Sequence, residues 1–101
     1  MAVSVIKGQS IENISLETGV NAYRKGNVVT VVFWNASITS TTARTTYGTL
    51  PVGWRPPTDI FSANIYDGIG YGNVLANGEV QGFRRDTIAN KVTTFITYVT
   101  A

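Results

Sequence analysis

The feature of this chain that most constrains its fold is the recurrence of valine, isoleucine and threonine in short runs bounded by glycine and asparagine. These β-branched residues favour extended strands, because two heavy atoms on Cβ restrict the side chain in a helix. No stretch keeps apolar residues at the i, i+3, i+4 and i+7 spacing of an amphipathic helix. The 101 residues therefore predict an all-β protein that forms a single domain, residues 1–101.

The dipeptide Gly26-Asn27 locates a first hairpin, since it separates two β-rich runs in "YRKGNVVTVVF". A two-residue loop at this point places Arg24 opposite Val29. The second arm, residues 28–38, is apolar on both faces at its start. This pattern predicts a central strand that is covered on each side.

The dipeptide Asn77-Gly78, in "NVLANGEVQGF", predicts a second hairpin. A two-residue loop here would place Tyr71 opposite Arg84. Further strands are expected near residues 3–6, 14–18, 43–49, 60–65 and 91–100. Seven or eight strands at this spacing indicate an antiparallel β-sandwich, jelly-roll-like or immunoglobulin-like, or else a barrel.

The segment "GTLPVGWRPPTDI" contains all three prolines of the chain. Pro51 restricts φ for a turn, Gly53 can take the positive φ that follows, and Pro56-Pro57 keeps the next residues extended. The segment is therefore interpreted as a stiff corner that leads into a strand. Trp54 is expected to pack against this corner and not to contact a ligand, because tryptophan buries a large area.

Two stretches carry the candidate ligand-binding residues. "YDGIGYGN" has three glycines, which predicts an exposed irregular loop. Aromatic faces and planar polar side chains suit a saccharide, and the "FRRD" stretch adds cations beside Asp86. The predicted site residues are Tyr66, Asp67, Tyr71, Asn73, Arg84 and Arg85, brought to one end of the second hairpin.

The absence of cysteine and histidine excludes disulfides, thiol nucleophiles, imidazole bases and most zinc or copper sites. The six acidic residues are adequately explained as solvated surface groups, so we expect a protein that is not an enzyme and needs no cofactor. A calcium site at Asp67 and Asn73 lacks the spacing of an EF-hand.

The distribution of charged and of apolar residues argues against two classes of partner. The net charge is +2, and the cations are scattered singly or in pairs, so no basic stripe is present that would neutralise a phosphate backbone. No apolar run reaches the roughly 18–20 residues that span a bilayer. We therefore expect neither nucleic acid nor a membrane as a partner.

Several segments together resemble the C-terminal head, or receptor-binding domain, of bacteriophage tail fibre and baseplate proteins. The resemblance rests on "LPVGWRPPTDI", "YRKGNVVTVVF", "VLANGEVQ" and "FITYVT", which span most of residues 19–100 in the order that such domains show. It implies a jelly-roll-like sandwich that forms a homotrimer at the tip of a phage tail, beside other tail proteins. It further implies host attachment through a saccharide on the bacterial surface, with residues 1–18 as a junction to a shaft or shoulder.

A second function stays open beside host attachment. Only 14% of the residues are charged, against about 25% in an average soluble domain. Apolar residues are also spread over both faces of several strands. These features favour a structural or trimerisation module of the phage tail.

Overall fold

The computed structural model of the protein describes residues 11–38, 44–65 and 67–101. Within these ranges there is no helix, and the strands are β1 (Glu12–Glu17), β2 (Val20–Lys25), β3 (Val28–Ser37), β4 (Thr45–Thr49), β5 (Ile60–Ala63), β6 (Gly70–Val74), β7 (Glu79–Arg84) and β8 (Lys91–Val99). Their pairing is antiparallel throughout, in two four-stranded sheets. The expected antiparallel β-sandwich is confirmed.

The first sheet has the order β1-β2-β3-β8 and the second the order β4-β7-β6-β5. In the second sheet β5, β6 and β7 are consecutive antiparallel neighbours, and the last of them, β7, pairs with β4. This arrangement is a Greek key. The hydroxyl-rich stretch "SITSTTARTTYGT", residues 37–49, ends in β4, which lies at one edge of this sheet. The strand expected near residues 3–6 and the first residue of the one expected near 43–49 lie outside the described residues.

The first hairpin has the predicted register, with Arg24 opposite Val29 in the ladder of β2 and β3. Only Gly26 and Asn27 separate the two strands. A connection this short leaves the strands no freedom to slip past each other, so the turn alone determines which residues pair.

The second hairpin turns through one more residue than predicted. Residues 76–78 connect the last bonded pair, in which the Leu75 N–H donates to the Glu79 carbonyl at 2.9 Å. The Gly78 N–H donates to the Leu75 carbonyl at 2.8 Å, and Gly78 has a φ of 94°. A residue in this left-handed conformation commonly ends a three-residue hairpin loop.

This extra residue corrects the predicted register of the second hairpin. Tyr71 lies opposite Phe83, and Gly70 lies opposite Arg84. Because side chains alternate between the faces of a sheet, the one-residue shift turns Arg84 to the face opposite that of Tyr71. The predicted pairing of Tyr71 with Arg84 is therefore wrong.

The glycine-rich segment "YDGIGYGN" was expected to be an irregular loop, but its second half is the strand β6. This strand lies between β7 and β5 in the second sheet. A Cβ at Gly72 would stand 2.8 Å from ring atoms of Phe33 and 2.9 Å from Cγ2 of Thr94. The glycine is therefore needed for close packing of the two sheets and not for flexibility.

The core lies between the two sheets and is mainly aliphatic, with Phe33 at its centre and Tyr47 against it at a centroid distance of 6.2 Å. The Tyr47 hydroxyl donates to the Ser37 carbonyl at 2.9 Å. Burial, with a smaller contribution from the negative charge of Glu17, raises the pKa of Tyr47 to about 12. Burial also raises the pKa of Tyr98 above its ordinary value.

The proline-rich corner is structural, as predicted. Trp54 is only 6% exposed, and its N–H donates to the Pro51 carbonyl at 3.1 Å. The Arg24 guanidinium covers the indole at 5.0 Å from the ring centroid, and the Tyr98 hydroxyl donates to the Trp54 carbonyl. The corner thus joins β2 to the end of β8.

The expectation that β3 is covered on both faces is wrong. The strand is central within its sheet, but its outer face carries the exposed side chains of Val28 and Trp34. The neighbouring strand β8 adds Phe95 and Val99, also exposed. The apolar residues on the second face of β3 therefore form a surface in the single chain.

We expect the fold to lose stability as the pH rises from 10 to about 12. Because folding raises the pKa of Tyr47 above the ordinary 10.0, its stabilising effect is complete below pH 10 and is lost towards pH 12. The loss is about 1.4 kcal/mol per pH unit for each such tyrosine. Urea unfolding between pH 9 and 12 measures it, and Tyr47→Phe should show a shallower decline than the unaltered chain. Identical declines in the two proteins would contradict the assignment.

Candidate functional site

The candidate site lies on the outer face of the second sheet. Gly72 and Gly82 lie opposite each other on the inner face of β6 and β7, and the side chains of the residues on either side of them project outwards. Tyr71 and Phe83 form one outward cross-strand pair, and Asn73 and Gln81 form the next. Two central strands therefore present an alternating row of aromatic and amide side chains on one surface.

A groove of about 290 Å³ opens over this row. We call it the aromatic groove, and its lining residues are Arg44, Phe61, Tyr71, Asn73, Phe83 and Arg85. Phe61 comes from β5, where it lies opposite Asn73, and Arg44 immediately precedes β4. Residues from all four strands or their ends thus converge on one concave surface.

The floor of the aromatic groove contains a buried amide with an unused acceptor. Asn73 is only 2% exposed although it lies on an outer face. Its Oδ1 accepts no hydrogen bond from any described residue. A buried acceptor without a donor costs about 1–3 kcal/mol, so Asn73 is better suited to a partner from outside than to the fold itself.

Gln81, directly across the ladder from Asn73, repeats this arrangement. Its Nε2 donates to Glu79 Oε2 at 2.8 Å, and a carboxylate can only accept, so the orientation of the amide is determined. The remaining atom, Oε1, is buried and has no donor among the described residues. Two carbonyl oxygens therefore lie side by side without partners.

Two arginines supply positive charge to the aromatic groove. The Arg44 guanidinium lies over the Phe83 ring at 5.7 Å from its centroid. Arg85 is exposed, and its backbone N–H donates to the Ile69 carbonyl at 2.7 Å, which anchors the chain just beyond β7. Within the described part of the chain, the ion pair found is that of Arg24 with Glu12, far from this surface in the sheet order.

The structure brings together three of the predicted site residues: Tyr71, Asn73 and Arg85. Arg84 lies on the other face of β7, for the reason given by the corrected register. Tyr66 lies outside the described residues. Asp67 lines a separate groove of about 400 Å³, which it shares with Asn35, Ile65, Ile88, Asn90 and Lys91. Asp67 and Asn73 therefore do not line a common cavity.

Asp86 has a structural role in the loop that follows β7. Its carboxylate accepts backbone N–H groups from Ala89, Ile69 and Ile88 at 2.9 to 3.1 Å. The hydrogen bonds from Ala89 and Ile69 are the main causes that lower the pKa of Asp86 below its ordinary value. The carboxylate is thus occupied within the chain.

Three lining residues were not predicted from the sequence, namely Arg44, Phe61 and Phe83. Phe83 would have been identified by the correct register, since it lies opposite Tyr71. Phe61 has a signal in the alternation of "IFSA", where it faces outwards after Ile60. Arg44 has none, because its approach to Phe83 depends on the pairing of β4 with β7.

Comparison of the chain with models of protein families, with curated proteins and with solved structures gave no match. The described residues include no helix that is long and apolar enough to cross a membrane.

We expect Asn73→Leu to stabilise the fold by about 1–2 kcal/mol, because it replaces a buried acceptor that lacks a donor by an apolar group of similar shape. Asn13→Leu, at an exposed position of β1, is the matched control and should change stability by less than about 0.5 kcal/mol. Urea unfolding of both variants measures the difference. Destabilisation by Asn73→Leu alone would show that the amide serves the fold.

Proposed function

We propose that the protein is a non-catalytic receptor-binding domain that recognises a saccharide in the aromatic groove. The observation that carries the proposal is the buried Oδ1 of Asn73, which lacks a partner within the described chain and lies among aromatic side chains. A sugar ring combines an apolar face with hydroxyl donors on its rim. It can therefore pack on the aromatic rings while one hydroxyl donates to the amide oxygen of Asn73.

The dimensions of the aromatic groove agree with a ligand of this kind. Its volume of about 290 Å³ lies just below the range for small-molecule sites, roughly 300–1,000 Å³, which suits a single sugar unit. The groove is also open, so a longer glycan chain can continue past it. One sugar unit bound at a time suits a polysaccharide on a cell surface.

The groove is built on strands, which favours recognition without a large conformational change. Tyr71 and Phe83 are neighbours in the ladder of β6 and β7. Their positions are therefore determined by backbone hydrogen bonds and by the packing beneath them. A ligand then meets side chains that have lost little further freedom on binding.

The biological setting follows from the resemblance to heads of bacteriophage tail fibre and baseplate proteins. In that setting the domain acts in the virion, at the tip of the tail, and attaches the particle to a bacterial surface saccharide. Its other partners are further copies of itself, as a homotrimer, and neighbouring tail proteins.

Replacing Phe61 and Tyr71 together by alanine should weaken saccharide binding by about tenfold or more, because the apolar face of the sugar loses its platform. An array of bacterial surface glycans identifies a bound glycan, and calorimetric titration with that glycan measures the loss. Trp34→Ala removes an exposed aromatic from the other sheet and is the matched control.

Unchanged affinity in a folded Phe61→Ala/Tyr71→Ala protein would contradict the site. Circular dichroism in the far ultraviolet verifies the fold of each variant. An equal loss of affinity in Trp34→Ala would move the site to the first sheet.

A structural or trimerisation module is the second candidate function, and the outer face of the first sheet favours it. Trp34 is 61% exposed and Phe95 67% exposed, on the neighbouring strands β3 and β8. Val32 lies directly opposite Phe95 in this ladder, and Thr30 bonds Thr97 through its hydroxyl at 2.9 Å. The middle of the face thus carries no charge, which suits a buried interface between subunits.

We expect light scattering on the purified chain to give three times the 10.9 kDa mass of one chain. Trp34→Glu with Phe95→Lys should convert this trimer to a monomer, because a charge in an apolar interface loses its hydration. Phe61→Ala on the second sheet is the control and should remain trimeric. A monomeric unaltered chain at high concentration would contradict the assembly, and a trimer that binds no glycan would favour the structural function.

A further inference from the structure

We propose that the aromatic groove selects acidic saccharides, in which a carboxylate or phosphate on the sugar is held by Arg44 and Arg85. This inference names the ligand class of the proposed saccharide-binding function and rests on it. The observation behind it is an excess of positive charge: two arginines line the groove, and none of the described residues that line it is acidic.

The acidic residue nearest along β7 is Glu79, and it is already engaged. Its carboxylate accepts from Gln81 Nε2 at 2.8 Å and from Asn77 Nδ2 at 3.1 Å. Glu79 is the first residue of β7, next to the hairpin turn that contains Asn77, and it lies at the other end of the strand from Arg85. It therefore does not neutralise the arginines.

The acidic residue that follows Arg85 is engaged as well. Asp86 accepts three backbone N–H groups of its own loop and of the segment before β6. Arg84, on the other face of β7 from Phe83, makes a small further contribution that lowers the pKa of Asp86. Among the described residues, Arg85 is not found in an ion pair.

Arg44 is held in a conformation that suits an anion. Its guanidinium carbon lies over Phe83 at 5.7 Å from the ring centroid, and a cation-π contact does not occupy all of the N–H donors of the guanidinium. A guanidinium presents paired donors whose geometry matches the two oxygens of a carboxylate or phosphate. The ring therefore positions the donor before a ligand arrives.

The polar groups of this surface divide between two kinds of ligand atom. The buried oxygen of Asn73, which lines the groove, can only accept, so it suits a hydroxyl of a sugar. Arg44 and Arg85 can only donate, so they suit an anionic group. A neutral sugar uses the Asn73 oxygen and the aromatic rings, whereas an acidic sugar also uses the arginines.

The test compares sugars that differ only at C6: glucose, glucuronate and glucose 6-phosphate, with the same three forms in the galactose series. Two-dimensional amide NMR at constant ionic strength measures each dissociation constant and locates the binding surface. We expect at least one acidic form to bind about tenfold more tightly than its neutral counterpart at 50 mM salt. The preference should shrink at 500 mM salt, because exposed charges are screened.

Two double variants distinguish an effect of the groove arginines from an effect of the protein's net charge. Arg44→Gln/Arg85→Gln should abolish the acidic preference, measured within the variant as the ratio of the dissociation constants of the neutral and the acidic sugar. Lys25→Gln/Lys91→Gln removes the same two charges from exposed positions outside the aromatic groove and should retain the preference. Comparison of glucuronate with glucose 6-phosphate shows which anionic group the arginines favour.

The outcomes distinguish this inference from the function on which it rests. Equal binding of neutral and acidic sugars in the groove would overturn the acidic selectivity alone and leave saccharide binding in place. A preference that survives Arg44→Gln/Arg85→Gln would likewise overturn it. If none of the six sugars perturbs residues of the groove, both the selectivity and the proposed saccharide site fail.

Discussion

The close approach of the two sheets at Gly72 is the constraint on which the rest of the structure depends. Gly72 and Gly82 lie opposite each other on β6 and β7. The ring of Phe33, from the first sheet, occupies the space above Gly72, and the ring of Tyr47, from β4 of the second sheet, occupies the space above Gly82. Any larger residue at Gly72 would force the sheets apart or displace Phe33 from the centre of the core. The same arrangement leaves Tyr71 and its neighbours to project only outwards, so the packing of the core prepares the candidate site.

The buried amides of that site show how stability and recognition compete in a small domain. Asn73 and Gln81 occupy positions where apolar side chains would bury more favourably, and each keeps an oxygen without a donor from the described chain. A domain of this size has only a few kcal/mol of net stability, so such positions are costly. We regard this cost as the reason to assign recognition to the outer face of the second sheet.

The two outer faces of the sandwich differ in chemistry, which suits two different tasks. The face of β3 and β8 is apolar and uncharged at its middle, with Trp34 and Phe95 exposed. The face of β6 and β7 combines aromatic rings with amides and with Arg44 and Arg85. Assembly through the first face and binding through the second would leave the groove accessible on each copy, so the two candidate functions are compatible.

The sequence by itself determined the strand content, the first hairpin and the corner at Trp54, because each depends on short-range effects: β-branched side chains, a two-residue loop and proline geometry. Tertiary structure decided the register of the second hairpin, since an Asn-Gly pair, which favours a two-residue loop, can also end a three-residue loop whose last residue is left-handed. The extra residue of the three-residue loop shifts the register, so that Phe83 and not Arg84 lies opposite Tyr71 and joins the groove. Tertiary structure also decided that Arg44 and Phe61 join the same surface, because they come from strands that meet only through long-range pairing.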